Sequence, residues 1–336
     1  MSASKRIFII GLSNVGDAIL TAPVVARLHA AYLEALITLV VGERARTVFA
    51  NDPRIARLLT MENFDGVIGK LRLLLTMWGA RPDVLIDLRG TALPLFWRPW
   101  LIGRYLRRVP SSVTHMRDRH LWRLEAQHPP LRRVDAAAEY AVWLNDEDVA
   151  GVERLVRRWA LQPERPLVVI CPSARSHIKR WGAERFARVA DRLIEQLNAQ
   201  VVLTGEPSEM PIVHEVMKAM KGSAYSAAGC TTVTQLGELM RRARLVITND
   251  SATLHLACAV GCPVLAIFGP TDAVKYGPTG PRDRVIRRQL FCSPCEQALC
   301  RFNHECMRFV SDDEVFAAAT AMLAESPATQ SSATQP

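Results

Sequence analysis

Long hydrophobic runs are absent from this sequence. No apolar stretch reaches the roughly 20 residues a helix needs to cross a bilayer, so a membrane-spanning chain is not expected. A cleavable leader is not expected either. The first residues, MSASKRIFIIGLSNVGDAIL, are basic and then apolar, but Asn14 and Asp17 interrupt the stretch and no small-residue cleavage site follows. They read as a first strand, and the expected location is the cytoplasm. Signatures of nucleic-acid binding are missing as well. The net charge is +9, yet no helix-turn-helix, zinc-finger or RNA-binding sheet pattern accompanies it. Standard zinc-ribbon spacing is also lacking.

What is present is enough apolar material, 49% of 336 residues, for one large core or two medium ones. The basic excess points to an anionic partner. With nucleic acid set aside, an anionic lipid-linked substrate fits it better. The eight cysteines divide into two sets. Cys171, Cys230, Cys258 and Cys262 sit at strand, turn or helix-end positions and read as small core residues. Cys292, Cys295, Cys300 and Cys306 are clustered, with His304 among them. A reducing compartment argues against disulfides. Packed thiols or a structural zinc are the other two readings, and no catalytic metal is expected.

One stretch organises the chain: Leu245 to Asp272, LVITNDSATLHLACAVGCPVLAIFGPTD. Leu245–Thr248 and Val264–Phe268 are short apolar, β-branched runs typical of strands buried on both faces. Between them, Asn249, Asp250 and Ser251 are turn and N-cap residues. Leu254, Ala257, Cys258 and Val260 then give a helical face, and Gly261 and Pro263 stop it. Strand, helix and strand this close together predict a parallel βαβ unit. The helix start at Ser251, Ala252 and Thr253 offers free N–H groups and the positive dipole end, a site suited to a diphosphate. Asp250 lies at a strand's carboxyl end, where open α/β sheets bind ligands. His255, four residues after Ser251, shares its helix face.

The rest of the chain repeats this rhythm. Arg6–Ile10 predicts the first strand, followed by Gly11, Asn14, Gly16 and Asp17 and a helix from about Ala18 to Tyr32. Leu36–Val41, Val84–Leu88 and Val109–His115 are further strand candidates. Asp87 and Arg89 stand at the carboxyl end of one of them. Leu93–Arg108 carries Trp97, Trp100, Tyr105 and four arginines, but Pro94 and Pro99 forbid one long amphipathic helix. Ordinary packing and peripheral contact with an acceptor or a membrane both remain open for it. Leu144 to Pro166 reads as a hinge. Beyond it, Leu167–Cys171 is a strand whose loop carries Ser173 and Lys179, the latter able to bring a point charge to a phosphate. Gln200–Thr204 is a strand followed by Gly205, Glu206 and Glu209; either glutamate suits ribose hydroxyls. Ser311 to Glu314 is a capping box that starts a terminal helix to about Ala324, and the small polar residues from 325 to 336 are expected to be disordered.

The Asn249–Asp272 segment resembles the donor-site signature of glycosyltransferase family 9, the heptosyltransferases of lipopolysaccharide core synthesis. Ala252 stands where that signature has glycine. The stretch around Asp17, with Thr21 and Pro23, resembles the family's N-terminal motif, and Lys179 with Trp181 resembles its donor-loop motif. The resemblance implies a GT-B fold, two Rossmann-like domains with parallel sheets facing a cleft. Residues 1–160 would bind the acceptor and residues 161–324 the donor. It implies metal-independent, inverting transfer of heptose from ADP-heptose to a core acceptor, with Asp17 as general base. Asn14, Gly16, Asp87 and Arg89 would lie on the acceptor side. Lys179 would contact the donor diphosphate, and Glu209 is slightly favoured for the ribose. The alternatives are a transferase of the same fold using another nucleotide sugar and a non-catalytic nucleotide- or lipid-binding relative.

Overall fold

The computed structural model describes residues 4–133 and 142–325. The first half builds a four-stranded sheet from β1 (Arg6–Ile10), β2 (Leu36–Val41), β3 (Ile55–Thr60) and β4 (Val84–Asp87), in the order β3-β2-β1-β4. The second half builds a six-stranded sheet from β5 (Leu167–Cys171), β6 (Gln200–Leu203), β7 (Tyr225–Ser226), β8 (Leu245–Asn249), β9 (Val264–Phe268) and β10 (Arg284–Arg287), in the order β10-β9-β8-β5-β6-β7. Every pairing in both sheets is parallel. The two parallel α/β sheets form the GT-B fold. Strands β5, β8 and β9 are buried at every position, as their mostly apolar sequences require when helices cover both faces.

Strand order reverses between β1 and β4 in one sheet and between β5 and β8 in the other. At such switch points adjacent connections leave on opposite faces and open a crevice beyond the strand ends. The connections after β1, β5 and β8 leave from those points and carry Asp17, in the first turn of the helix after β1, and Lys179 and Asp250.

The halves share one interior. The first helix, Val15–Ala31, packs on the helix Ala252–Ala259, and a single apolar cluster runs from Ile7 and Ala18 through Leu254 and Leu256 to Val169. Gly16 makes this approach possible: a Cβ there would lie 3.1 Å from His255 Cδ2 and 3.5 Å from Ala252 Cα. The helix Asp146–Arg158 opens with an Asn145–Asp148 capping box. It lies before residue 160 yet packs on the helix Val233–Arg242, and Thr234 donates to Asp148 at 2.8 Å. The last helix, Asp312–Ala324, opens with the expected Ser311–Glu314 box and packs on Ala183–Leu197.

Several expectations need correction. Val109–His115 is not a strand. Pro110 has no N–H to give a ladder, and its carbonyl instead closes a turn with Val113 N (3.1 Å) that leads into the helix Met116–Gln127. β3, β7 and β10 were not read from the sequence. β7 has two residues, and β3 and β10 lie at sheet edges with arginines inside their runs, which blurs any apolar signal. The first helix begins at Val15, earlier than its apolar face suggested. In Leu93–Arg108 the prolines do divide the segment, into short turns over Leu93–Trp97, Pro99–Leu101 and Ile102–Tyr105. The expectation for the tail lies, apart from Glu325, outside the described residues. No described helix is long and apolar enough to cross a membrane.

Candidate active site

The helix Ala252–Ala259 begins without a side-chain cap. Ser251 is its N-cap, but the Ser251 side chain makes no capping bond. Its Oγ pairs instead with Thr253 Oγ1 at 2.7 Å, and Thr253 pairs with Thr248 Oγ1 at 2.8 Å. The first-turn N–H groups are therefore left without a side-chain acceptor, at the positive end of the helix dipole. Gly261, at φ +73°, ends the helix in the left-handed conformation that a glycine there permits.

Asn249 holds the neighbouring loop in place. Fully buried, it donates from Nδ2 to Pro172 O (2.7 Å) and accepts at Oδ1 from Trp181 N (3.1 Å). That staple brings the β5 loop against the end of β8. Within it, Lys179 Nζ donates to Asp250 Oδ2 at 2.7 Å, with the aspartate side chain buried and the lysine side chain about a third exposed. Two ammonium protons stay available for another acceptor. Ser173 Oγ and Thr204 Oγ1, at the ends of β5 and β6, are buried and have no protein partner. Such groups are usually satisfied by a ligand or water.

Ser173, Lys179, Thr204, Asp250, Ser251 and Thr253 line one cleft of about 800 Å³. Ser173, Lys179, Gly205, Glu206, Glu209, Asp250, Ser251, Ala252, Thr253 and His255 are present on its second-half wall. Asn14, Gly16 and Asp17 form the facing wall. The Asn14 side chain does not cap the first helix. Its Nδ2 donates to Asp17 Oδ2 at 3.0 Å, and its Oδ1 accepts from Arg175 Nη1 across the cleft at 3.2 Å. Asp17 keeps its second oxygen open.

The glutamates are organised by a local capping box, in which Glu209 Oε2 accepts from Glu206 N at 2.9 Å. Burial pushes the Glu209 carboxyl up from the usual carboxylate range. Glu206 reaches Arg44 of the opposite half at 3.6 Å, an exposed pair of small energetic weight. Burial holds His255 down to about 4, against the pull of Asp250 and Asp17, so its ring is neutral at pH 7. His115, also held below its ordinary value by burial, donates from Nε2 to Gly277 O at 3.0 Å and ties the halves together beside the site.

Two acceptor-side residues stand elsewhere. Asp87 is buried, and its carboxylate accepts from Arg89 N (3.0 Å), Gly90 N (2.9 Å), Thr91 N (2.5 Å) and Thr91 Oγ1 (2.9 Å), so it shapes the loop after β4. Arg89 is exposed and does not line the cleft. Conversely, Arg44, Arg175, Arg180 and Tyr276 line the cleft without having been singled out. Arg175 and Arg180 share the basic loop of Lys179, so the local charge pattern signals them; Arg44 and Tyr276 carry no motif signal and reach the cleft only through the fold.

The clustered cysteines form their own region. Cys292, Cys295, Cys300 and Cys306 line a separate cavity of about 320 Å³ with His304. All four are free thiols, so the disulfide alternative is not realised. Among the described residues no group of His, Cys, Asp or Glu is arranged to hold a metal. Burial and the three neighbouring sulfurs push the Cys306 thiol up.

The family model for glycosyltransferase family 9 (heptosyltransferase) matches residues 134–305, just over half of the chain. The chain belongs to glycosyltransferase family 9. It is therefore a transferase. Among curated relatives, lipopolysaccharide heptosyltransferase 3 of Escherichia coli (strain K12) is 28% identical over 291 residues, covering 78% of this chain and 82% of the relative. Among solved structures, a glycosyl transferase family 9 protein from Veillonella parvula superposes with a TM-score of 0.82 at 24% identity, over 97% of this chain and 99% of the other. The E. coli ADP-heptose lps heptosyltransferase II superposes with a TM-score of 0.72 at 22% identity, over 95% and 98%. Both superpositions carry the fold.

Proposed function

We propose that this glycosyltransferase moves a heptose from ADP-heptose to a lipopolysaccharide-core acceptor, with inversion at the anomeric carbon. The observation that carries the reading is the meeting of Asp17 with Lys179 and the uncapped Ala252 helix start in one cleft. The second half, residues 161–324, takes the donor, and the first, residues 1–160, takes the acceptor. The diphosphate rests on the N–H groups at Ser251–Thr253 and takes the free donors of Lys179, while Ser173 and Thr204 offer unsatisfied hydroxyls nearby. Glu206 and Glu209 hold the ribose.

In the reaction, the acceptor hydroxyl oxygen attacks the anomeric carbon as the bond from that carbon to the diphosphate oxygen breaks. ADP leaves with the bonding pair, and the hydroxyl proton passes to the free oxygen of Asp17. Negative charge grows on the departing diphosphate, where the helix start and the Lys179 ammonium are already in place. The positive charge this step requires comes from those protein groups.

An acceptor anchored in lipid would be met at a membrane surface on the cytoplasmic side. Exposed Val67, Ile68 and Leu71, on the helix Gly66–Ala80, and exposed Trp100, close to Arg98 and Arg104 in sequence, support peripheral contact there.

The test is calorimetric binding of ADP, UDP and GDP to the purified protein, followed by incubation with ADP-heptose and a truncated lipopolysaccharide. ADP should bind tightest, and the acceptor should gain one heptose by mass. Tighter binding of UDP or GDP, with transfer from their sugars, would overturn the donor assignment.

A further inference from the structure

A second cavity, of about 380 Å³, lies in the first half and shares no lining residue with the cleft. Five arginines line it: Arg104, Arg107, Arg108, Arg119 and Arg123. Its one carboxylate, Asp87, is already occupied by the loop after β4. Arg123 donates to Leu88 O at 2.6 Å and Arg119 to Val113 O at 3.1 Å, so both are held by backbone carbonyls rather than by acids. Arg107 sits over the Trp122 ring, 5.8 Å from its centre. None of the five is ion-paired with a carboxylate among the described residues.

Five guanidinium groups around one space repel one another, and an anion between them removes that repulsion. A guanidinium matches a phosphate with two parallel N–H donors, and several of them outweigh what one carboxylate can neutralise. The space exceeds that of a bare ion, and Trp122 offers an aromatic wall for a sugar ring. The location is also informative. Asp87 ends β4 and pairs in register with Ile10, the last residue of β1, from which the chain runs on to Asp17.

We propose that this arginine-lined cavity is an anion subsite that takes a phosphate group carried by the glycan acceptor. This rests on the reading of the Asp17 side as the acceptor side. It adds a substrate class: acceptors phosphorylated near the hydroxyl that is glycosylated. A phospholipid headgroup offers the same chemistry, so the test includes it as a separate source.

The experiment titrates the full chain and an Arg107→Gln/Arg108→Gln variant with mannose 6-phosphate, with mannose, and with phosphatidylglycerol vesicles. ADP serves as the control for folding and for the donor site. Mannose 6-phosphate should bind saturably and mannose should not. The variant should bind the sugar phosphate at least tenfold more weakly while keeping its ADP affinity and its melting temperature. With acceptor, the wild type should show a lower KM for a phosphorylated than for a dephosphorylated truncated glycan, and the variant should lose that difference at unchanged kcat. Equal sugar-phosphate affinity in the two proteins, or no saturable binding in either, would overturn the proposal. Vesicle binding that is lost in the variant, without sugar-phosphate binding by the wild type, would overturn the acceptor source and assign the cavity to a headgroup. The binding arms need no turnover, so a protein that binds mannose 6-phosphate but transfers no heptose would count against the proposed function alone.

Discussion

Lys179 Nζ lies 2.7 Å from Asp250 Oδ2, joining the loop after β5 to the end of β8 on one wall of the cleft. Each residue was read from the sequence as a donor contact, but their pairing was not. The pair gives Lys179 two tasks. It neutralises a buried carboxylate, and it presents its remaining protons to the cleft.

Those tasks separate by mutation. Lys179→Ala should weaken ADP binding at least tenfold, since a charged hydrogen bond contributes about 1.5–3 kcal/mol. It should also lower the melting temperature, because Asp250 would be left buried without its partner. Adding Asp250→Asn should restore the melt and leave ADP binding weak. An unchanged ADP dissociation constant in the single variant would remove Lys179 from the donor site.

Asp17→Asn tests the base. Asn14 Nδ2 can still donate to the amide oxygen, so the fold and the Asn14–Arg175 bridge should persist. Loss of a general base typically costs about 10²–10⁴ in rate. Initial rates should fall by that factor, with thermal melts and ADP affinity unchanged. A near-wild-type rate in a stable variant would leave Asp17 without a catalytic role.

Gly16→Val tests the contact between the halves. A Cβ at this position would already press on His255 Cδ2 at 3.1 Å, and further methyls force a shift. Overpacking of this kind costs about 1–3 kcal/mol. The melting temperature should drop, and KM for the donor should rise because His255 and Ala252 line the same cleft. A variant with wild-type melt and KM would show that the first helix does not set the donor wall.

Acid should destabilise the protein through His120. This residue is 2% exposed, and neither ring nitrogen has a protein partner. Burial, with Arg123 and Arg119 nearby, lowers its pKa from 6.5 to about 4, against the opposing charge of Asp17. The folded state therefore holds the ring neutral where the unfolded chain would protonate it. The stabilisation is complete above pH 6.5 and is lost as pH falls towards 4, at about 1.4 kcal/mol per pH unit. His120→Leu should flatten the fall of melting temperature between pH 6.5 and 4.5. At pH 7.5 it should cost little, because it removes unsatisfied polar atoms. An unchanged acid slope would mean that other groups govern it.

Much of this molecule was legible in one dimension. Strands β1, β2, β5 and β9 were read at their observed limits, because strands covered by helices on both faces are continuous Val, Ile and Leu runs. The helix start beyond β8 was equally clear. Asp250 to His255 are contiguous, so spacing alone places them on one helix start. Edge strands such as β3 and β10 escaped because half-exposed strands tolerate arginines.

The sequence by itself determined the parallel α/β rhythm, the helix start at Ser251–Thr253 beyond a strand's carboxyl end, and the placing of Asp17 just after the first strand. These follow from local rules of hydrophobic period, capping and turn chemistry. Only the tertiary structure decided that Lys179 is bound to Asp250, that Gly16 seats the first helix on His255, and that Asp87 serves its own loop. It also decided that arginines from 104 to 123 gather around one cavity. The Asp87 loop is local but depends on which N–H groups the turn aims at the carboxylate; the Lys179–Asp250 and Gly16–His255 contacts join side chains far apart in sequence, which acquire their distances only when the chain is folded.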